Sequence, residues 1–404
     1  MSASPAPPDT LADLARWQRV ALVVGAIGVA VCLLGLLAPE TRPHFFRAWL
    51  VAFCLCVGVS LGSMVVVMLQ YLTGGDWGFV LRRPLEAATR VLPLATLFYI
   101  PIALGMPYLY DWARPDEVAE NANLQHKAPY LNVGFALVRA VIYFAIWNGL
   151  AYLLNSWSRQ QDQKKDPAIV SRCEVLSAPG ITLYVVTITF ASIDWLMSLE
   201  PEWYSTIYAA MIGMGQVLAG FAFSVAVLAL LSGRPPLDQV VAGNDRRDLG
   251  SLLLAFVMVW AYLAFSQFLL IWAGNLPEET PWYVYRLQRG WQYVGLALIF
   301  FHFALPFALL LSTDVRRARR RLAAVALLVL FMRIVDLLWL VVPAFDHRRK
   351  TADPSAFALL LYAAALVGPG GLWLGVYLWQ LGRWPLLPEY KPYGEAAHGA
   401  VAQH

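Results

Sequence analysis

Four charged side chains stand inside hydrophobic runs of this chain, Arg139, Asp194, Arg333 and Asp336, and His302 adds a titratable imidazole to them. A carboxylate in hydrocarbon costs at least roughly 2.5 to 3.5 kcal/mol on insertion scales, so such acids usually face a bundle interior or a wet cavity and belong to an ion or proton path. Asp194, in ITLYVVTITFASIDWLMSLEPEWYSTIY, is the sharpest case. It lies a few residues before Pro201, so it either faces the interior or is solvated at headgroup level. Arg333 and Asp336 sit at i, i+3 on one helix face and can neutralise each other as a structural pair. Asp194 has no such neighbour in sequence, which makes it the first candidate for a group that takes up and releases protons.

Helical rise, roughly 1.5 Å per residue, places these groups by depth. Arg139 and Asp194 fall in the outer third of the membrane, Arg333 near mid-depth with Asp336 slightly beyond it, and His302 near the midplane. Four charges at similar depth on different helices predict a cluster open toward the outside. Tyr184, Gln216, Tyr143, Asn148, Thr187 and Thr189 are candidates to continue a hydrogen-bonded chain inward, and Glu200, Ser266 and Gln267 lie near the outer end. Each alone is an ordinary interhelical contact, and only their coincidence suggests a path.

The elements that must hold them are membrane helices. Of 404 residues 59% are hydrophobic and 14% charged, against roughly 25% charged in a soluble domain. Ten apolar runs reach the length of about 20 residues that a bilayer core requires. They lie near 17–38, 44–72, 91–110, 132–156, 176–199, 204–232, 249–274, 287–312, 321–345 and 355–382. Period-2 alternation is absent, which argues against a barrel. The reading is an all-α polytopic membrane protein with a single transmembrane domain over 17–382 and short tails at 1–16 and 383–404. The N-terminal tail lacks the basic start of a cleavable signal, so the first span is expected to be retained.

Lys and Arg in the loops number 19 on the face carrying the N-terminus and 9 on the other. The positive-inside rule then puts both termini in the cytoplasm. The formal charge of +4 is an orientation signal, and basic runs such as RRARRR at 316–321 lack the aromatic interleaving of a nucleic-acid site. External loops at 111–131 and 275–286 are long enough to receive partner proteins. Residues 74–90 read as a short interfacial helix, with Trp77 and Phe79 dipping and arginines at the headgroups. A faint echo relates spans 2–4 to spans 7–9 as inverted repeats, and repeated four-helix bundles are the competing description.

Several cofactors find no ligands here. Of His44, His126, His302, His347, His398 and His404 only His302 lies inside a span, His44 standing at the very edge of the 44–72 run, and the haem attachment C-x-x-C-H is missing, which argues against bis-histidine b haem and c haem. Cys32, Cys54, Cys56 and Cys173 match neither a four-cysteine iron–sulfur pattern nor a zinc spacing and read as small packing residues. GGDWG (74–78) and GPGG (368–371) match no phosphate-loop fingerprint and read as a helix-ending turn and a helix break.

The strings TGGDWGFVLRRPLEAATRVLPLATLFYIPI, ITFASIDWLMSLEPEWYSTIY, FSQFLLIWAGNLPEETPWYVYRLQRGW, HFALPFALLLS and MRIVDLLWLVVPAF resemble the ActF-type subunit of bacterial alternative complex III, a quinol:cytochrome c or electron-carrier oxidoreductase. The similarity runs from span 2 through span 9, and DWxxSLEPxWxST is its most specific part. ActF-type proteins look like members of the NrfD/PsrC family, and the resemblance implies two four-helix bundles plus peripheral helices. It implies a cofactor-free subunit in the bacterial inner membrane. Its partners would be an NrfD-like quinone-binding paralogue, a periplasmic iron–sulfur protein, multihaem and monohaem c cytochromes, small membrane subunits and lipids. Haem c and iron–sulfur clusters would then sit in those partners, with quinone an open possibility for this chain. The role inferred for the type is proton conduction, and it falls here on Asp194, Arg139, Arg333 and Asp336. The tail PLLPEYKPYGEAAHG departs from the longer acidic ending expected of the family. A proton-coupled secondary transporter and a purely structural scaffold are the competing readings.

Overall fold

A chain this apolar has to satisfy its backbone hydrogen bonds internally, and helices do so within one segment. The computed structural model describes residues 8–346 and 356–389, and among the described residues there are helices and turns but no strand. Ten helices are long and apolar enough to cross a membrane: Thr10–Leu34, Arg42–Thr73, Trp77–Leu104, Val133–Lys164, Pro167–Leu199, Tyr208–Leu231, Gly243–Gly274, Trp291–Leu311, Arg319–Phe345 and Phe357–Gly382. They are called spans 1 to 10 below. The protein is an all-α multi-pass membrane protein, as its composition implies. His347, His398 and His404 lie outside the described residues.

Spans 2 and 6 form the centre, with 94% and 78% of their apolar windows buried. They cross closely because glycines remove the Cβ where the backbones meet. A Cβ on Gly62 would lie under 3.0 Å from the backbone of Gln216 and Val217, and one on Gly220 under 3.0 Å from that of Gly62 and Ser63. Small residues at a crossing are how membrane helices gain contact without a hydrophobic driving force. Spans 2 to 5 pack together on one side of this crossing and spans 6 to 9 on the other. Two four-helix bundles are therefore present. They group the chain as four spans and four, the arrangement that the repeated-bundle description expects.

Spans 1 and 10 pair with each other at the periphery, and span 10 also leans on span 2. Their contact uses Gly25 and Gly28 against Gly368 and Gly371, each with its Cα against the backbone opposite. The expected break at GPGG is thus a packing surface, and the helix Ala356–Gly382 runs through Pro369. Gly74 and Gly75, at φ 66° and 96°, do end a helix in the expected turn.

Two boundaries differ from the hydropathy reading for a physical reason. Span 1 starts within a helix that begins at Pro8, so much of the expected tail is helical. Span 3 begins at Trp77, because Asp76–Thr89 turns its arginines into the protein and does not lie as a surface helix with them in the headgroups. Arg82, Arg83, Glu86 and Thr89 are each 2% exposed. Their polarity hid a buried helix from a hydropathy count. Beyond it Pro93 and Pro101 divide span 3 into short helices, since each proline removes one intrahelical donor.

Candidate functional site

Asp194 is 3% exposed and belongs to the protein interior. Nor is it alone. Arg139 of span 4 donates to both its oxygens, Nη2 to Oδ1 at 2.7 Å and Nε to Oδ2 at 2.9 Å, and the Tyr143 hydroxyl donates to Oδ2 at 2.9 Å. The parallel two-bond form is the strong one for guanidinium and carboxylate. Arg139 also donates to the Tyr130 carbonyl at 2.9 Å and lies over the rings of Tyr130 and Phe135, 3.9 Å and 4.4 Å from their centroids. Burial and the nearby Asp194 charge push the Tyr130 phenol above its ordinary range, so it stays protonated.

Arg333 and Asp336 pair across one helix turn, both buried, as the i, i+3 spacing predicts. The two ion pairs do not merge into one cluster of four charges. Each sits in its own bundle, Arg139 with Asp194 among spans 2 to 5 and Arg333 with Asp336 on span 9. Between them the Tyr184 hydroxyl of span 5 donates to Gln216 Oε1 of span 6 at 2.9 Å, and the Arg333 guanidinium lies against the neighbouring Gly215. Tyr184 and Gln216 thus bridge the bundles.

His302 is fully buried with its ring 4.0 Å from Trp260, and among the described residues neither ring nitrogen has a hydrogen-bond partner. It occupies a π-helical stretch, Leu298–Ala304. Pro306 accounts for that widening, because its ring would clash with the carbonyl four residues back, that of His302. Gln267 is 1% exposed, in the interior of the second bundle. Glu200 joins a third ion pair, with Arg286 at 3.0 Å. Arg286 is 1% exposed, donates to the carbonyls of Trp282, Trp339 and Leu340, and stacks 3.6 Å from the Trp282 ring centroid. The sequence reading counted Arg286 as a loop charge. Its signal was the dense aromatic company of WYVYRLQRGW, since an arginine among tryptophans is often stacked and buried.

Arg82 and Arg83, expected at the headgroups, belong instead to a second set of buried charges. At the opposite end of the first bundle Arg83 pairs with Glu86 at 2.7 Å and with Asp162, while Arg90 reaches Glu86 at 3.2 Å and Ser158 donates to Glu86. Arg82 adds bonds of 3.4 Å to Gln70 and Gln161. The spacing Arg83, Glu86, Arg90 follows one helix face and is the clue that loop-charge counting passed over.

Span 4 connects the two ends. Arg139, Tyr143, Trp147, Ala151, Asn155, Ser158 and Asp162 succeed one another at intervals of four or three and so share a face. All are buried except Asp162, which is half-buried. The 23 steps from Arg139 to Asp162 cover ~35 Å, about the thickness of a hydrocarbon core. Trp147 Nε1 donates to Thr187 at 2.8 Å, Asn148 to Thr96 at 3.0 Å and Asn155 to Thr89 at 2.7 Å. Ala151 interrupts the stripe, and a cavity of about 300 Å³ lined by Thr89, Asn148, Ala151 and Asn155 lies at that point. A second cavity, about 460 Å³, lies on the far face among Asp111, Arg114, Glu117, Asn121 and Glu202.

No protein-family model matches this chain, and no curated protein matches it.

Proposed function

We propose that this chain is the cofactor-free, ActF-type membrane subunit of a respiratory quinol:electron-acceptor oxidoreductase, and that span 4 carries protons across it. One observation supports the second part above the others: a buried polar stripe runs from the Arg139–Asp194 pair to the Glu86–Arg83–Asp162 cluster. Hydroxyls of Tyr, Ser and Thr both donate and accept and can pass a proton on, whereas the Trp147 indole only donates. Water must therefore complete the relay. At ~30 Å³ per molecule the cavity beside Ala151 has room for several waters with polar partners.

In this reading Asp194 is the outer proton site. Protonating the carboxyl cancels its attraction to Arg139, releases the guanidinium toward the Tyr130 carbonyl and Phe135, and turns Tyr143 to the freed oxygen. Glu86 is the corresponding inner site, between Arg83, Arg90 and Ser158. Electrons pass through partner subunits, with c haem and iron–sulfur clusters there, and the external loop 111–131 contributes to their docking. The resemblance of the DWxxSLEPxWxST segment carries the assignment to the oxidoreductase.

The test is to reconstitute the complex in vesicles and measure protons moved per electron. Asp194→Asn and Glu86→Gln should assemble, keep quinol oxidation and lower that ratio. An unchanged ratio in both overturns the proton path. It would favour a scaffold, the reading supported by the guanidinium partner that each buried carboxylate already has. Extraction in mild detergent without any c-haem absorbance would overturn the oxidoreductase assignment.

A further inference from the structure

The cavity beside Ala151 has a mouth that the proton path does not use. Its rim is formed by Arg90 at the end of the Asp76–Thr89 helix, Arg159 of span 4 and Arg383 just after span 10, with Trp384 between them. Arg90 and Arg159 lie 5.3 Å and 5.4 Å from the Trp384 ring centroid, and Arg383 lies 4.5 Å from that of Trp379. Among the described residues no carboxylate lines the cavity. Arg90 is partly neutralised by Glu86 and donates to Asn155 Oδ1 at 2.7 Å. Among the described residues Arg159 and Arg383 have no ion-pair partner, and the one hydrogen bond of Arg159 is to the Asn155 carbonyl at 3.3 Å. Among the described residues two guanidiniums without a carboxylate partner are thus held by indoles at a concave site.

Two of the rim arginines also stand near the ends of spans, where a headgroup is expected. Arg159 is five residues before Lys164, the end of span 4, and Arg383 directly follows span 10. Tyr152, on the same wall of the cavity, is 68% exposed, and Val141, Val138 and Ile142 continue an exposed apolar face along span 4. An occupant would therefore have its anion at the rim and its chains along that face.

We propose that Arg90, Arg159 and Arg383 bind the phosphate of an anionic phospholipid, whose headgroup caps the cavity while its acyl chains lie along the exposed side of span 4. Guanidinium suits a phosphate because its planar fork matches two oxygens at once. Basic pockets between helices on the basic face of a membrane protein are the expected place for such lipids. The site does not depend on the proton reading, because it requires only the rim charges and the apolar face.

The probe is phosphatidylglycerol, scored by native mass spectrometry of the full-length protein during stepwise delipidation, with phosphatidylcholine as the neutral comparison. The wild type should retain one phosphatidylglycerol in preference to phosphatidylcholine. At about fivefold per arginine, Arg159→Gln with Arg383→Gln should weaken retention roughly twenty-fivefold. Arg159→Lys with Arg383→Lys keeps the charge without the planar fork and should recover part of the preference, between the glutamine variant and the wild type, which separates lost binding from misfolding. The paired change Arg246→Gln with Arg317→Gln, on the same face away from the cavity, should leave retention intact. Equal retention of the two lipids by the wild type, or undiminished phosphatidylglycerol on the glutamine variant, overturns the site. Displacement of the lipid by millimolar inorganic phosphate, with the same variant dependence, would assign the rim to free phosphate and overturn the lipid.

Discussion

At the residue scale the decisive fact about Asp194 is its partner. A buried ion pair adds little net stability, because desolvation offsets the attraction, but removing one partner strands a charge and costs about 3 to 5 kcal/mol. Arg139→Met should therefore lower the stability of the detergent-solubilised protein by about that amount. Arg139→Met with Asp194→Leu should restore most of it, since no charge is left unpaired. Thermal unfolding followed by tryptophan fluorescence checks both, and a double variant as unstable as the single one would show that packing around Arg139, not charge, sets the cost. The acid itself was legible in sequence because a carboxylate in an apolar run has few innocent explanations. Its pairing was not, for Arg139 is 55 residues away and only the contact of spans 4 and 5 brings them together. Arg333 and Asp336 were legible as a pair because a single turn of helix suffices.

At the element scale hydropathy found ten spans and misplaced the one that carries its own charges. The helix Asp76–Thr89 is amphipathic, which ordinarily marks a surface, yet here its polar face meets Gln161, Asp162 and Ser158 of span 4 inside the protein. Only a partner of matching polarity makes that burial possible, and a partner cannot be read from one segment. Glycine was misread in the same way, as a break at 368–371 where the close approach of span 1 needs it. The crossing of spans 2 and 6 gives a sharper test. Gly220→Val forces a side chain into the backbone of Gly62 and Ser63, and overpacking of this kind costs typically 1 to 3 kcal/mol or more. Gly149→Ala is the control: nothing lies within 4 Å of its added Cβ, and alanine gains up to about 1 kcal/mol over glycine in a helix. Loss of monodisperse protein on size-exclusion chromatography for Gly220→Val, with Gly149→Ala at least as stable as wild type, is the expected outcome. Equal tolerance of both would mean the two central helices can separate without loss.

At the scale of the whole molecule the question is which way the stripe on span 4 points. Some arginines counted as loop charges are buried: Arg82 and Arg83 at one end, Arg47 and Arg286 at the other. Setting them aside leaves 17 Lys and Arg against 7, so the bias that would hold the N-terminal face in the cytoplasm persists. Asp194 would then open toward the outside and Glu86 toward the cytoplasm, the order that outward proton release requires. The native cysteines make this measurable, since all four are buried and unpaired and give a low background with a membrane-impermeant maleimide. Glu120→Cys, exposed on the far-face loop, should label in intact spheroplasts. Asp238→Cys, exposed on the face of the N-terminus, should label only after permeabilisation. The reverse pattern would turn the stripe around and make Glu86 the outer site. Labelling of both in intact spheroplasts would show that one of the spans between them does not cross, and the stripe would then lose its place as a route through the membrane.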